Sequence, residues 1–427
     1  MKRKLFLSIF IIFSIIILCT SGIYLLRQYK KQTQAPVSII AASDIHYLSP
    51  EYRGEYFKEP SAMFDGKLTH YSPEYFDAFL AEVIQKQPDV LILSGDITLN
   101  GSMKSHEELI GKLKKVQNSG IQVLVIPGNH DVNSTAGDYT PAEPVTVESA
   151  SGEDFITMYA NFGPAQAISC DSKTFSYMYE AGPYLRFLMI DTNSLSKGSV
   201  ASDTLTWIET QLKEAKKANA DVIAVTHQNL HIHNELLYFS YQLYNAEQLL
   251  ELYEKYDVKL NLSGHIHVQS IVSDTTAPDI TIPEIAVGSL AIGGTPYGEL
   301  HYDGKSISYQ TVKTDVSVYA ALQRWTDENL LNFNQYSIWY FEEVGRLQNY
   351  ANFSEKDLSE TEKDLLANTF AGINSHYFLG EKLNRQEFMD GIELWNKQES
   401  DFVSRYIETM LQESETENQN IIIDLTK

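Results

Sequence analysis

Short apolar segments of strand length recur along the central part of the chain and constrain its fold most strongly. They lack the polar alternation of a strand with one solvated face, so we expect strands covered on both faces. Amphipathic stretches separate them, which is typical of an α/β fold with parallel strands. The segments are Val37 to Ala41, Val90 to Leu93, Val123 to Ile126, Leu185 to Ile190, Val222 to Val225 and Val258 to Leu262.

The connections between these strands carry helix-start signals and two long loops. Ser72 begins one predicted helix, which Pro88 ends, and Ser105 is predicted to form a capping box with Glu108 at the start of another. Two connections, Tyr47 to Tyr71 and Asn133 to Glu153, are unusually long for a compact domain. Loops of this length are functional lids or are poorly ordered, and we predict one of these two outcomes.

The sequence pattern changes to helices from about Asp315 onward. Ser359 and Asn384 each stand three residues before a glutamate, which predicts helix starts. We therefore predict an α/β domain over residues 36–314 and a helical domain over residues 315–427. The closing apolar run 421–423 is predicted either to pack back as a strand or to form a tail.

The N-terminal segment is basic and then apolar. Lys2, Arg3 and Lys4 precede Leu5 to Leu26, which holds no charge and as a helix would reach about 33 Å. Residues 1–35 are therefore predicted to be a membrane-spanning signal anchor, or a signal peptide cleaved near Cys19, followed by a linker. A retained anchor predicts a location at the cell membrane with the body of the protein outside the cell, and a cleaved signal peptide predicts secretion.

Net charge and cysteine content exclude several classes of partner and site. The chain has 33 Lys and Arg against 56 Asp and Glu, a net charge of −23. Such a surface repels a phosphate backbone, so no long nucleic-acid partner is expected. A small anionic substrate is compatible with this negative charge if a bound cation makes the local electrostatic potential positive. Two cysteines, Cys19 and Cys170, cannot build a disulfide framework or a thiolate metal site.

Polar side chains stand where five of the predicted strands end. In open α/β sheets, ligands bind beyond the carboxyl ends of the strands, so these side chains should meet at one edge. Burying them together without a metal would be costly, and a mixed oxygen and nitrogen donor set suits two divalent ions. The absence of thiolates argues against a structural zinc site. The residues are Asp44, His46, Asp96, Asn129, His130, Asp131, His227, His265 and His267.

The chain resembles the calcineurin-like metallophosphoesterase superfamily over roughly residues 37–313, and within it the class III cyclic nucleotide phosphodiesterases of bacteria. The resemblance is carried by the ordered motifs Asp44-x-His46, Gly95-Asp96, Gly128-Asn129-His130-Asp131, His227 and Gly264-His265-x-His267. It implies a four-layer sandwich of two mixed β-sheets flanked by helices. The helical segment after residue 315 also resembles the terminal domain of a bacterial phosphodiesterase subgroup. Residues 97–101 lack the second Asp and the Arg of the protein phosphatase pattern, so phosphoprotein substrates are not expected.

The resemblance also implies a role for each motif position. Two metal ions of manganese, iron or zinc would be the cofactors, with Asp96 bridging them. A water held between the ions would attack phosphorus in line, and His130 would protonate the leaving alkoxide. Asp131 would orient His130, or else only cap the next segment. The first ion would be held by Asp44, His46 and His267, and the second by Asn129, His227 and His265.

These observations predict a metal-dependent phosphodiesterase that hydrolyses a small phosphodiester, with a cyclic nucleotide favoured. A phosphomonoesterase or nucleotide phosphatase would use the same dimetal site and is the alternative. A non-catalytic surface-binding module is a further alternative. The sequence does not determine the oligomeric state. Further site candidates are His231, His233 and Asn193, and the loop aromatics Tyr56, Phe57 and Phe64, which could stack on a base.

Overall fold

Two mixed β-sheets form the centre of the fold. The computed structural model describes residues 13, 26, 28–31, 33, 35–62, 65–276, 278–353, 356–398 and 402–426. The strands in this part of the chain are β1 (Val37–Ala42), β2 (Val90–Leu93), β3 (Gln122–Val125), β4 (Ala136–Asp138), β5 (Val145–Val147), β6 (Ser169–Cys170), β7 (Tyr177–Gly182), β8 (Leu185–Met189), β9 (Asp221–Val225), β10 (Leu260–Ser263), β11 (Ser270–Val272), β12 (Glu284–Ala286), β13 (Pro296–Tyr302), β14 (Ser306–Lys313) and β15 (Asn420–Asp424).

The first sheet has six strands in the order β15-β14-β13-β1-β2-β3, and the second has seven in the order β11-β12-β10-β9-β8-β7-β6. In the first, β1, β2 and β3 run parallel, with Ile39 beside Val90 and Leu91 beside Val123, while β13 is antiparallel to β1. In the second, β8, β9, β10 and β12 run parallel between antiparallel β7 and β11. β4 and β5 form a separate two-stranded ribbon.

Helices cover the sheets and continue beyond the last hairpin. They are α1 (Ser72–Lys86), α2 (Met103–Asn118), α3 (Gly152–Met158), α4 (Ser202–Ala218), α5 (Ala246–Tyr256), α6 (Val316–Leu322), α7 (Glu328–Leu331), α8 (Phe333–Asn352), α9 (Glu360–Phe378), α10 (Met389–Trp395) and α11 (Phe402–Glu413). The largest apolar core joins β2 and β9 of the two sheets and extends to α1 and α2. A second core packs α4 and α5 on the second sheet. The predicted arrangement of two mixed sheets flanked by helices is confirmed.

All six predicted strands are present, with ends that differ by at most two residues. The start of α2 was predicted wrongly. Ser102, not Ser105, caps this helix by accepting from the backbone N–H of Ser105. Glu108, the expected capping partner, instead accepts from the hydroxyls of Tyr47 and Ser49 at 2.8 and 2.9 Å. A contact from a distant loop therefore displaced the local capping box.

The helices after β14 share cores with the α/β part of the chain. Val316 of α6, Leu330 of α7 and Tyr340 of α8 belong to the largest core. α9, α10 and α11 form a third core that also holds Ile266 and Val268, which follow β10. β15 pairs antiparallel with β14, so the closing apolar run is a strand rather than a tail.

The two long loops contain short ordered elements and contact each other. The first carries 3₁₀ turns at Pro50–Tyr52, Glu55–Lys58, Pro60–Ala62 and Thr69–Tyr71. The second carries β4 and β5. The backbone N–H of Tyr139 donates to the Tyr52 carbonyl at 2.9 Å, and the Tyr56 and Phe57 rings stack 4.4 Å apart. These two rings are therefore part of the loop packing, while Phe64 lies outside the described residues.

The predicted basic and apolar segment, residues 2–26, lies outside the described residues, apart from Phe13 and Leu26. Among the residues that the structure does describe, no helix combines the length and the apolar character needed to cross a membrane. The chain before β1 contacts the body through Lys31, whose ammonium lies 2.5 Å from the carboxylate of Asp221 at the start of β9.

Candidate metal centre

The predicted site residues follow the carboxyl ends of strands from both sheets. Asp44 and His46 follow β1, and Asp96 follows β2. The others come after β3, β9 and β10. Five of the seven predicted ligands have positive backbone φ angles, which non-glycine residues rarely adopt. They are Asp44 (51°), His46 (46°), Asp96 (46°), His265 (67°) and His267 (63°). Strained backbone is thus concentrated where the strands meet.

A first cluster of potential donor atoms contains Asp44, His46, Asp96 and His267, all within 4.8 Å of one another. The Nε2 atoms of His46 and His267 are 3.1 Å apart, and Asp44 Oδ1 lies 3.3 Å from His267 Nε2. Asp44 Oδ1 is buried without a hydrogen-bond partner. Buried polar atoms are normally paired, so this orphaned oxygen fits a cation at this position.

A second cluster contains Asp96, His227 and His265, again within 4.8 Å. His227 Nε2 lies 3.4 Å from Asp96 Oδ2 and 3.1 Å from Asn129 Oδ1. Asp96 belongs to both clusters, as a carboxylate that bridges two ions must. The predicted ligands are therefore brought together as two adjacent donor groups, and their oxygen and nitrogen donors fit two divalent ions.

Backbone carbonyls fix which imidazole nitrogens face the clusters. His227 Nδ1 lies 2.9 Å from the Ser94 carbonyl oxygen, and His265 Nε2 lies 2.9 Å from that of Ser240. A carbonyl oxygen only accepts, so these nitrogens carry the protons. The opposite nitrogens, His227 Nε2 and His265 Nδ1, are therefore the ones that face the donor clusters, and the outer hydrogen bonds hold both rings in place.

The surrounding imidazoles keep the carboxyl groups of Asp44 and Asp96 ionised. Burial opposes ionisation of both carboxyl groups. The interaction of Asp44 with His267 outweighs burial and keeps the pKa of Asp44 below its usual range. The interaction of Asp96 with His227 does the same for the pKa of Asp96. Burial also disfavours the charged form of His227, yet Asp96 raises the pKa of that imidazole to about 9. At His265, burial prevails and lowers the pKa to about 4.

His130 lies beside both clusters without belonging to either. Its backbone N–H donates to Asp96 Oδ1 at 2.8 Å, and its Nδ1–H donates to the Leu99 carbonyl at 2.7 Å. The remaining nitrogen, Nε2, is 3.9 Å from Asp96 Oδ2. The His130 side chain is 40% exposed, so Nε2 is open to a molecule at the centre.

Asp131 does not orient His130, which corrects one of the two predicted roles. Its carboxylate accepts from the backbone N–H groups of Ile97, Thr98 and Gly128 at 3.1, 2.8 and 2.8 Å. Burial, followed by repulsion from Asp96, raises its pKa to about 6. Asp131 therefore ties the loop after β2 to the loop after β3, and the carbonyl of Leu99 orients the His130 ring instead.

The other candidate residues are engaged elsewhere. His231 Nε2 bonds to the Ile282 carbonyl at 2.9 Å, and His233 lies 3.2 Å from the Glu284 carboxylate. The Asn193 amide donates to the Pro127 carbonyl at 3.1 Å. These three side chains support loops and strands and do not face the donor clusters.

Two cavities adjoin the centre on either side of His130. The larger, about 620 Å³, extends from the donor clusters to the helices that follow β14, and the smaller is about 420 Å³. Lys67, in the first long loop, lines both, and its ammonium lies 2.7 Å from the Asp65 carboxylate. Sequence patterns marked this loop as a functional candidate by its length but did not identify Lys67.

Comparisons with known proteins match the chain in two parts. A family model described as calcineurin-like phosphoesterase matches residues 37–269, which is more than half of the chain. A second, described as the C-terminal domain of cyclic nucleotide phosphodiesterase, matches residues 315–417.

Individual relatives have names of the same kind. A "3′,5′-cyclic-nucleotide phosphodiesterase" of Nostoc sp. is 25% identical over 237 residues, which are 54% of this chain and 72% of the relative. A "Probable cyclic nucleotide phosphodiesterase" of Coxiella burnetii is 24% identical over 242 residues, 56% of this chain and 78% of the relative. Among solved structures, a dimetal phosphatase from Danio rerio covers 65% of this chain and 96% of its own, with a TM-score of 0.49 and 12% identity. On the family match over residues 37–269, this chain belongs to the calcineurin-like phosphoesterase family.

Proposed function

We propose that this protein is a metal-dependent phosphodiesterase that hydrolyses a small phosphodiester, with a cyclic nucleotide as the favoured substrate. One observation carries the proposal: Asp96 is shared by two donor clusters at the floor of a 620 Å³ cavity, with His130 Nε2 open beside it. A cavity of this size can enclose a mononucleotide. The names of the Nostoc and Coxiella relatives support the choice of a cyclic nucleotide.

The proposed ligands divide between the two clusters. Asp44, His46 and His267 would hold one ion, and Asn129, His227 and His265 the other, with Asp96 between them. The mixture of imidazole and oxygen donors suits manganese, iron or zinc. When bound, the two ions supply Lewis-acid activation of the attacking water and neutralise charge on the phosphoryl oxygens.

His130 is the proposed general acid. Its Nδ1–H is committed to the Leu99 carbonyl, so the proton that it can give away is on Nε2. That nitrogen faces the centre next to Asp96, where the leaving oxygen of a phosphodiester would lie. General acid catalysis requires this placement within reach of the leaving group.

Lys67 is proposed to bind the anionic phosphodiester. The side chain is buried between the two cavities. Burial of His46 is the main reason that its pKa is lowered, and the positive charge of Lys67 lowers it further. The bond to Asp65 occupies one of three ammonium protons and fixes the position of the group. The other protons can donate to a phosphoryl oxygen.

A substrate panel tests the proposal. The protein loaded with Mn²⁺, Fe²⁺ or Zn²⁺ is assayed on 2′,3′- and 3′,5′-cyclic nucleotides, bis-p-nitrophenyl phosphate and p-nitrophenyl phosphate. Turnover of a cyclic nucleotide above that of p-nitrophenyl phosphate is expected. Turnover of the monoester alone would favour a phosphomonoesterase, and metal binding without turnover would favour a binding module.

The proposal extends to the location of the protein. The basic residues 2–4 and the uncharged segment 5–26 support a signal anchor or signal peptide. Membrane fractionation and protease treatment of intact cells test this, with a protease-accessible body expected. A protease-protected protein in the soluble fraction would contradict it.

A further inference from the structure

The far wall of the larger cavity presents an amide without a protein partner. Asn374 lies in α9 with 9% of its surface exposed, and it lines the cavity. Its side chain makes no hydrogen bond with the residues that the structure describes. Buried amides normally find partners, so this group is available to a molecule in the cavity.

Four aromatic rings line the same cavity as this amide. Phe341 of α8 and Phe378 of α9 have ring centroids 5.1 Å apart, and Phe370 and Tyr406 form a second pair 6.4 Å apart. All four line the cavity. Aromatic faces stack on flat heteroaromatic rings, and a planar amide pairs with the donor and acceptor atoms on the edge of such a ring.

The charged residues that line the cavity gather at its opposite end. The ammonium of Lys197 donates to the Asn129 carbonyl at 2.7 Å, and Lys67 lies near His46. Tyr241 lies between the two ends, since its ring centroid is 5.3 Å from that of His265 and it packs against the third core, which includes Phe370. Asp65 and Asp96 also line this end, so with the two ions of the proposed function bound the cavity would have an anionic-ligand end and an aromatic amide end, which is the polarity of a nucleotide.

We infer that α8, α9 and α11 form a nucleobase site in which Asn374 hydrogen-bonds to the edge of the base. The inference rests on the proposed function, because it places the phosphate of the same substrate at the metal centre. The helical region then selects nucleotides by their base, while the strand ends supply the hydrolytic groups.

The first test is Asn374→Ala, with Asn368→Ala as the matched control on the exposed face of the same helix. In Asn374→Ala, kcat/KM for a cyclic nucleotide should fall about tenfold, the effect of one lost hydrogen bond, and bis-p-nitrophenyl phosphate should change by less than about twofold. Asn368→Ala should leave both substrates unchanged. Equal losses on both substrates, or no loss on either, would overturn the inference.

A second variant tests whether residue 374 forms a hydrogen bond to the edge of the base. Asn374→Asp replaces an amide that donates and accepts by a carboxylate that only accepts. It should favour guanine, which presents two adjacent N–H donors, over adenine, whose edge requires a donor from the protein. An unchanged ratio of guanine to adenine nucleotides would contradict a hydrogen bond from residue 374 to the base.

Calorimetry separates this inference from the proposed activity. Adenosine 5′-monophosphate and inorganic phosphate are titrated into the metal-loaded protein and into Asn374→Ala. The variant should bind the nucleotide about tenfold more weakly and inorganic phosphate equally well. If this holds while no cyclic nucleotide is hydrolysed, the phosphodiesterase proposal fails and the base site stands. Equal nucleotide affinity in both proteins would reject the base site.

Discussion

His130 and Asp96 approach each other at two points: the backbone N–H of His130 donates to Asp96 Oδ1 at 2.8 Å, and His130 Nε2 lies 3.9 Å from Asp96 Oδ2. The shared carboxylate of the metal centre thus also fixes the backbone that carries the proposed general acid. In the proposed mechanism, metal binding and proton donation would therefore be coupled through the Asp96 side chain.

Asp96→Asn should be the most damaging of the ligand substitutions. Asp96 serves both donor clusters, whereas His46 serves one, so the Asn variant should lose more metal than His46→Ala. Turnover should fall by about 10³-fold or more, since the metal contribution of several kcal/mol is removed. Metal analysis and kcat on the same preparations check this. Near-wild-type activity of Asp96→Asn would exclude a shared dimetal site.

His130→Ala should discriminate between substrates by their leaving groups. A ribose alkoxide needs a proton, whereas p-nitrophenolate leaves largely unaided. The variant should lose about 10²–10⁴-fold in kcat/KM on a cyclic nucleotide and distinctly less on bis-p-nitrophenyl phosphate. Its metal content should stay close to that of the wild type, because the His130 ring is outside both donor clusters. Equal losses accompanied by loss of metal would instead assign the ring a structural role.

Lys67→Met should weaken substrate binding. The buried ammonium borders both cavities, and its loss should lower kcat/KM for anionic diesters by about tenfold, mainly through KM. Lys213→Met, at an exposed position of α4, removes the same charge far from the cavities and is the control. A comparable effect in both variants would point to net charge rather than to a contact with substrate.

Glu284 should make the free energy of unfolding depend on pH. Burial opposes its ionisation, but His233 and the backbone N–H of His231 outweigh burial and lower its pKa from 4.5 to about 2. A lowered pKa stabilises the folded protein above pH 4.5, and this contribution of about 3 kcal/mol is lost as the pH falls toward 2.

Glu284→Gln should therefore be less stable than the wild type at pH 7, with a difference that shrinks between pH 4.5 and 2. Urea unfolding at pH 7, 5 and 3 measures it, and Glu251→Gln on the exposed face of α5 is the matched control. A difference that stays constant over this range would show that Glu284 is not ionised in the folded protein.

The site residues at strand ends could be predicted because the local sequence pattern determines where the strands end. Asp44, Asp96 and His227 follow apolar runs that can only be buried strands, and the topology of an α/β sheet brings such ends together. The choice between the two roles of Asp131 could not be made, because it depends on backbone N–H groups more than thirty residues away.

Lys67 and Asn374 could not be predicted for a related reason. Lys67 belongs to a loop without periodicity, and Asn374 is one polar residue in a helix with many buried positions. Their places on the wall of the larger cavity follow from the packing of distant segments. The start of α2 shows the same limit, since the hydroxyls of Tyr47 and Ser49 engage the glutamate that local sequence assigns to a cap.

The return of β15 to β14 determines how the wall of the larger cavity can move. The helices α6 to α11 leave the first sheet after β14 and rejoin it at β15, with Ile307 beside Ile423 and Tyr309 beside Ile421. Between these two strands, α6, α7 and α8 contribute Val316, Leu330 and Tyr340 to the largest core, so a lid movement of the segment would have to break buried apolar contacts. The wall is therefore pre-organised, and discrimination between nucleotides would arise from a rigid fit rather than from domain closure.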